Sequence, residues 1–136
     1  MNVSKSANFL ESIANHPRVI RAIGFSGERF AAGDSWNWSI GLEWPSGGIV
    51  FVRESPGVYS GHLVFAPKTR DVLGKTRDAF RYMFTRTPAH TITGQIRLEN
   101  LPARRIARAL MNHTHDHEGF SHYALTAREW RTRKDS

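Results

Sequence analysis

Val58-Tyr-Ser-Gly-His-Leu-Val-Phe-Ala-Pro67 runs directly into Lys68-Thr-Arg-Asp-Val-Leu-Gly-Lys-Thr-Arg77 and on to Asp78-Ala-Phe-Arg-Tyr-Met-Phe84. The stretch reads as a strand, a tight basic turn and a helix. The strand is β-branched and aromatic, with Tyr59, Gly61, Leu63 and Phe65 on one face. Pro67 ends it, because proline has no N–H to give to a ladder. The helix carries Val72, Thr76, Ala79, Phe80, Met83 and Phe84 on one stripe at helical spacing. Lys68, Arg70, Gly74 and Lys75 gather at the junction. A helix start offers free N–H groups and the positive end of a dipole, so this turn can cradle an anion such as a phosphate. It can equally be a solvated strand-to-helix connection.

The rest of the chain narrows the classes. Its 136 residues suffice for one domain with a core, and 40% hydrophobic and 11% aromatic content indicates a folded protein. The expected organisation is a single domain over 1–136, with a helical N-terminal part at 1–35 and a basic tail at 131–136. With no cysteine, disulfide and thiolate chemistry are excluded. No apolar run is long enough for a membrane span and the first residues lack a signal-peptide core, so a cytoplasmic location is expected. A net charge of +7 favours polyanionic or phosphorylated partners.

In chain order, residues 7–23 predict an amphipathic helix broken near Pro17, and residues 24–34 a glycine-punctuated loop. Ile40, Leu42 and Trp44 alternate with polar positions in a strand. Pro45-Ser-Gly-Gly48 is a turn, and Ile49–Arg53 is an apolar strand buried on both faces. Three strands with tight turns between them predict an antiparallel meander ending in the 58–66 strand. Thr91–Leu98 alternates cleanly, and the helical crossover before it makes it parallel to that strand. Asn100 is an N-cap for a helix beginning Leu101-Pro102, with Ala103, Ile106, Ala107 and Leu110 on its buried stripe. His113-Thr-His-Asp-His-Glu-Gly119 reads as a polar loop, a last strand lies around His122–Thr126, and Trp130 packs back on the core.

Two stretches carry a resemblance. Leu63-Val-Phe-Ala-Pro-Lys-Thr-Arg70 with Gly74-Lys-Thr76 is similar to a hydrophobic strand opening onto a glycine-containing pyrophosphate loop. Ile96-Arg-Leu-Glu-Asn100-Leu-Pro-Ala103, with Gly119-Phe120 and the closing Tyr123–Trp130, is similar to a strand, an Asn-led helix and a final strand. Together, over about residues 36–130, the chain resembles the GNAT superfamily of acyl-CoA N-acyltransferases, in particular small bacterial and phage-encoded members. The resemblance implies a mixed α/β fold whose largely antiparallel sheet contains a splayed parallel pair, 58–66 and 91–98, flanked by helices. It implies acetyl-CoA or another acyl-CoA as co-substrate and an amine of unknown identity as acceptor. Phe65, Ala66, Arg70, Gly74, Lys75, Thr76 and Asn100 are then the cofactor-binding positions. The sequence departs from the family pattern at Asp71, at Leu73 and Lys75 where small residues are usual, and at Ala107 where a thiolate-protonating tyrosine often stands. An inactive structural or virion-associated protein on the same fold, or a basic nucleic-acid binder, are the alternatives.

Other chemistry-bearing residues leave their roles open. His113, His115, His117 and Asp116 are either a metal site, a surrogate acid or an exposed polar loop; the i, i+2 spacing does not put ligands on one helix face. His62 is either a base or a satisfied buried histidine. Trp36, Trp38 and Trp44 line an acceptor pocket or pack on the sheet. Arg104, Arg105 and Arg108 grip nucleic acid or the CoA ribose phosphate, or form a solvated helix face.

Overall fold

The computed structural model describes residues 1–4 and 39–133. The helices expected over residues 7–23, the loop after them, Trp36, Trp38 and the end of the tail lie outside the described residues. The chain divides into two compact units: Met1–Val52 with Gly61–Arg70, and Arg53–Ser60 with Asp71–Ser136.

In the first unit, β1 (Asn2–Ser4) pairs antiparallel with β2 (Ser39–Trp44), which pairs antiparallel with β3 (Gly47–Ser55). The connection from Trp44 to Gly47 is a tight turn with those two residues opposite each other. Ile49, Val50 and Phe51 are consecutive and all buried, so β3 is covered on both faces, as its unbroken apolar run predicts. Val64 and Phe65 close β4 (Val58–Phe65) in the same way. The expected one-face alternation of Tyr59, Gly61, Leu63 and Phe65 is therefore not kept at that end, where both faces are covered. Phe65 packs its ring on Trp44, 5.9 Å between centroids.

The second unit begins with the tip of the β3–β4 hairpin, where Gly57 has φ 78°. A Cβ there would strike the imidazole of His90, which accepts this close approach only from glycine. Helix α1 (Val72–Arg86) buries Thr76, Ala79, Phe80, Met83 and Phe84, nearly the whole stripe expected of it. Thr87 ends it, and β5 (Thr91–Arg97) follows. Val58–Ser60 of β4 pair in parallel with Thr91–Thr93 of β5. Helix α2 (Leu101–Leu110) is capped by Asn100, whose side chain accepts from the Ala103 amide at 3.3 Å. β6 (Asn112–His117) and β7 (Phe120–Thr126) form an antiparallel hairpin, and β7 also pairs antiparallel with β5. Helix α3 (Ala127–Thr132) opens on a capping box in which Thr126 and Glu129 satisfy each other's backbone amides. Trp130 packs against Phe84, 5.5 Å between centroids, as expected.

The sheet order is β1-β2-β3-β4-β5-β7-β6, with one parallel pair. This is the mixed α/β architecture expected from the element order. Two elements correct the sequence reading: the closing Tyr123–Trp130 stretch leaves the final strand at Thr126, where the capping box turns it into helix α3, and His113–His117 belong to strand β6 rather than to a loop. The turn is only Glu118-Gly119, with φ 50° and 85°. Five of the six β6 residues are exposed, because the strand is at the sheet edge and has no apolar face to bury. Among the described residues, no helix is long and apolar enough to cross a membrane.

Candidate functional site

The junction before α1 is built from a short chain of local bonds. In the first unit, the Ala66 amide donates to Ser46 O at 2.8 Å, holding the end of β4. The Ala66 carbonyl accepts from both the amide (3.2 Å) and the hydroxyl (2.5 Å) of Thr69, folding the Pro67–Thr69 turn. Lys68 takes a left-handed φ of 65° at its tip. Arg70 is exposed, and Phe65 is buried against Trp44.

In the second unit, Asp71 is the N-cap of α1, again left-handed at φ 53°. Its carboxylate accepts from the Gly74 amide at 3.1 Å, and its carbonyl from the Lys75 amide at 3.1 Å. The helix start expected to offer bare N–H groups thus already holds a carboxylate from its own chain. An added Cβ on Gly74 would sit 2.7 Å from Asp71 Oδ1, so a larger residue there would make the capping carboxylate shift. Thr76 is buried, and its hydroxyl donates to Val72 O at 2.7 Å within the helix. Lys75 is half-buried. Asn100 serves as the α2 cap, and Ala107 is buried on the α2 stripe.

Arg104 departs from the expected solvated face. It is half-buried, and its guanidinium donates to Leu98 O at 2.9 Å, closing the β5–α2 connection. Arg105 and Arg108 are exposed. His62 is half-buried on β4.

The histidines are ordered by the β6–β7 ladder. His113 Nε2 lies 2.8 Å from Asp116 Oδ1, and its ring meets Tyr123 edge-on at 5.4 Å. Hydrogen bonds from His113 and Ser121 hold the Asp116 carboxyl below the usual aspartate range. On the other face, His115 and His122 stack with centroids 4.4 Å apart and planes 4° apart. Among the described residues, no group of three or more His, Asp or Glu side chains is placed to hold a metal ion. The stacked pair escaped the sequence reading, because pairing across the hairpin depends on a register shift between His113 and His115.

Burial, then the charges of His115 and His117, push the His122 pKa below 6.5. A histidine that stays neutral when folded but binds a proton when unfolded makes stability rise with pH. The fold should therefore lose stability as pH drops from 6.5 through the lowered value. Thermal melts between about pH 7 and pH 5 check this: wild type should lose stability, and His122→Phe, which keeps a flat ring but cannot protonate, should lose clearly less. An identical pH dependence in the two proteins would assign the effect elsewhere.

No protein-family model and no curated protein matches the sequence. Solved structures do. Spermidine N-acetyltransferase from Vibrio cholerae, in complex with CoA and spermine, aligns with a TM-score of 0.70 at 11% identity, over 96% of each chain. A GNAT-family acetyltransferase from Bacillus anthracis aligns at 0.65 and 20% identity, over 93% of this chain and 95% of that one. The Campylobacter jejuni N-acetyltransferase PseH aligns at 0.53 and 17% identity, over 60% of this chain and 59% of that one. With the parallel β4–β5 pair set in an otherwise antiparallel sheet, the chain has the fold of the GNAT acetyltransferases.

Proposed function

We propose that the protein binds an acyl-CoA, acetyl-CoA in the first instance, and transfers the acyl group to an amine. One observation carries the reading. The parallel pairing covers only Val58–Ser60 and Thr91–Thr93, although β5 runs on to Arg97. The Gly94–Arg97 stretch of β5, beyond that pairing, is where an extended amide chain such as pantetheine would add to the sheet as a strand does. The turn at 70–76 is the proposed pyrophosphate contact, through the side chains of Arg70 and Lys75, since Asp71 already holds the Gly74 and Lys75 amides. Phe65 and Ala66 close the strand before it, and Asn100 is proposed beside the pantetheine. Thr76 supports the helix from within, since its hydroxyl is committed to Val72 O.

Direct attack of an amine on a thioester needs the two held in line, a base for the ammonium proton and a donor for the departing thiolate. Positioning is the part this fold supplies through the strand edge and the helix start. The acetyltransferase neighbours bound to CoA support the co-substrate, and the neighbour bound to spermine supports an amine as acceptor.

A second reading, a GNAT-fold binding protein without transfer activity, is favoured by two observations. Asp71 occupies the helix start with its own carboxylate, and Ala107 provides no acid at the position of the family's tyrosine. A thiol-release assay with acetyl-CoA and a panel of polyamines, amino sugars and amino acids separates the two. Amine-dependent CoA release above the hydrolytic background supports the enzyme. Acetyl-CoA binding without release for any amine supports the binding protein.

A further inference from the structure

A cavity of about 560 Å³ lies where α1 ends, β5 begins and α3 opens. Its volume is that of a site for a small organic molecule. At about 1.5 Å per residue, the 15 residues of α1 put it roughly 20 Å from the helix start proposed for pyrophosphate.

The wall of the cavity is fixed by bonds within the protein. The His90 and Thr91 amides donate to Gly57 O at 2.8 and 3.2 Å. The Ala127 amide donates to His90 O at 2.8 Å, tying α3 to β5, and the Ala89 amide donates to Thr87 Oγ1 at 3.1 Å. His90 Nε2 lies 3.2 Å from Pro56 O; a carbonyl only accepts, so Nε2 carries the proton. In the neutral ring Nδ1 then accepts from the Thr91 hydroxyl at 2.9 Å. The imidazole is pinned at both nitrogens and acts as a wall. A ligand entering here does not have to order the site first.

Apolar surface and positive charge are what the cavity has left to offer. Phe84, Pro88, Ala89 and Ala127 supply the first. Arg128 and Arg131 supply the second, as neighbours on one face of α3. Both are exposed, and among the described residues neither has an ion-pair partner. Glu129, the one acid of α3, is committed to Thr126 and Asn112. Among the described residues no carboxylate lines the cavity. A cation such as an amine therefore finds nothing to pair with, whereas a carboxylate meets two guanidiniums whose planar forks match it. Two arginines on a bare helix flank would be a solvated face; above an apolar hollow they complete an amphipathic site.

We propose that this cavity binds a small organic carboxylate, its apolar body against Phe84 and Pro88 and its charge at Arg128 and Arg131. The site does not rest on the acyltransferase reading.

NMR titration of the histidine rings with 2-naphthoate tests it, with acetate and inorganic phosphate as anions that lack the apolar body. Expected are a saturable shift of the His90 ring, a Kd below about 2 mM, and acetate and phosphate weaker by at least about tenfold. Arg128→Ala with Arg131→Ala should weaken 2-naphthoate at least about fivefold and leave the melting temperature alone. Arg105→Ala with Arg108→Ala removes the same charge from α2 and should leave the affinity unchanged, as should saturating CoA. A His90 ring that does not move, phosphate binding as tightly as 2-naphthoate, equal losses in the two arginine variants, or competition by CoA would each overturn the proposal. If 2-naphthoate binds as expected and CoA does not bind at all, the acyltransferase reading fails and this site stands.

Discussion

Arg70→Ala combined with Lys75→Ala should weaken acetyl-CoA binding by about 1–3 kcal/mol, roughly five- to 150-fold, the range of charge-assisted hydrogen bonds. Pyrophosphate needs donors converging on one compact point, and with Asp71 holding the first amides of α1 the proposed donors there are the Arg70 and Lys75 side chains. Arg105 and Arg108 supply the contrast: both are exposed on the flank of α2, and their double alanine variant should cost less than about 1 kcal/mol. Arg104 is left intact in this comparison because its bond to Leu98 O is structural. Asp71→Asn completes the set. It keeps a capping oxygen for the Gly74 amide and a residue at ease with φ 53°, while removing one negative charge. Binding should tighten by roughly 1 kcal/mol if phosphate sits nearby. Calorimetric titration of the variants reads all of these. If the Arg70/Lys75 variant binds like wild type and Asp71→Asn changes nothing, the turn is a connection and no more.

Gly47→Ala should cost about 3 kcal/mol or more and lower the melting temperature by roughly 10 °C. Gly47 has φ 137°, a conformation that L side chains rarely adopt. An added Cβ would also press on Val64 O and lie 2.7 Å from Phe65 Cα. That backbone has little room to retreat. Val64 is fully buried, Phe65 is 9% exposed and in tilted ring contact with Trp44, and Ala66 is bonded to Ser46 O. Gly119→Ala is the control, at φ 85° with nothing within 4 Å of the added atom, so only local strain of about 1 kcal/mol is expected. Melts followed by circular dichroism should rank Gly47→Ala well below Gly119→Ala; equal melting would show that the close approach is not what Gly47 provides.

Features written in local chemistry were legible in the sequence. The α1 stripe, the Asn100 cap, the double-faced β3 and the parallel crossover all follow from periodicity, capping and chain connection. Features that depend on partners were not. β6 has no apolar alternation because an edge strand needs none; Gly119, suited to positive φ, was the one available signal. In the sequence Asp71 stands out only as a departure from the family pattern. Its spacing to Gly74 also fits a capping aspartate, and the structure shows that role. Arg104 looked like its neighbours on α2 until the turn of the chain brought Leu98 O within reach. Val3 faces Leu42 in a pairing whose two strands lie far apart in sequence, with nothing local to announce it. The stack of His115 on His122 exists only through register, and a one-residue slip would part the two rings.

The function proposed for this fold turns on whether it binds acyl-CoA. Calorimetry of the wild-type protein with acetyl-CoA tests it most directly, read together with the thermal shift at the same concentrations. The expected result is saturable heat at about one ligand per chain, a sub-millimolar Kd and a rise in melting temperature with ligand. No heat and no thermal shift at millimolar acetyl-CoA would contradict it, leaving a GNAT fold put to another use.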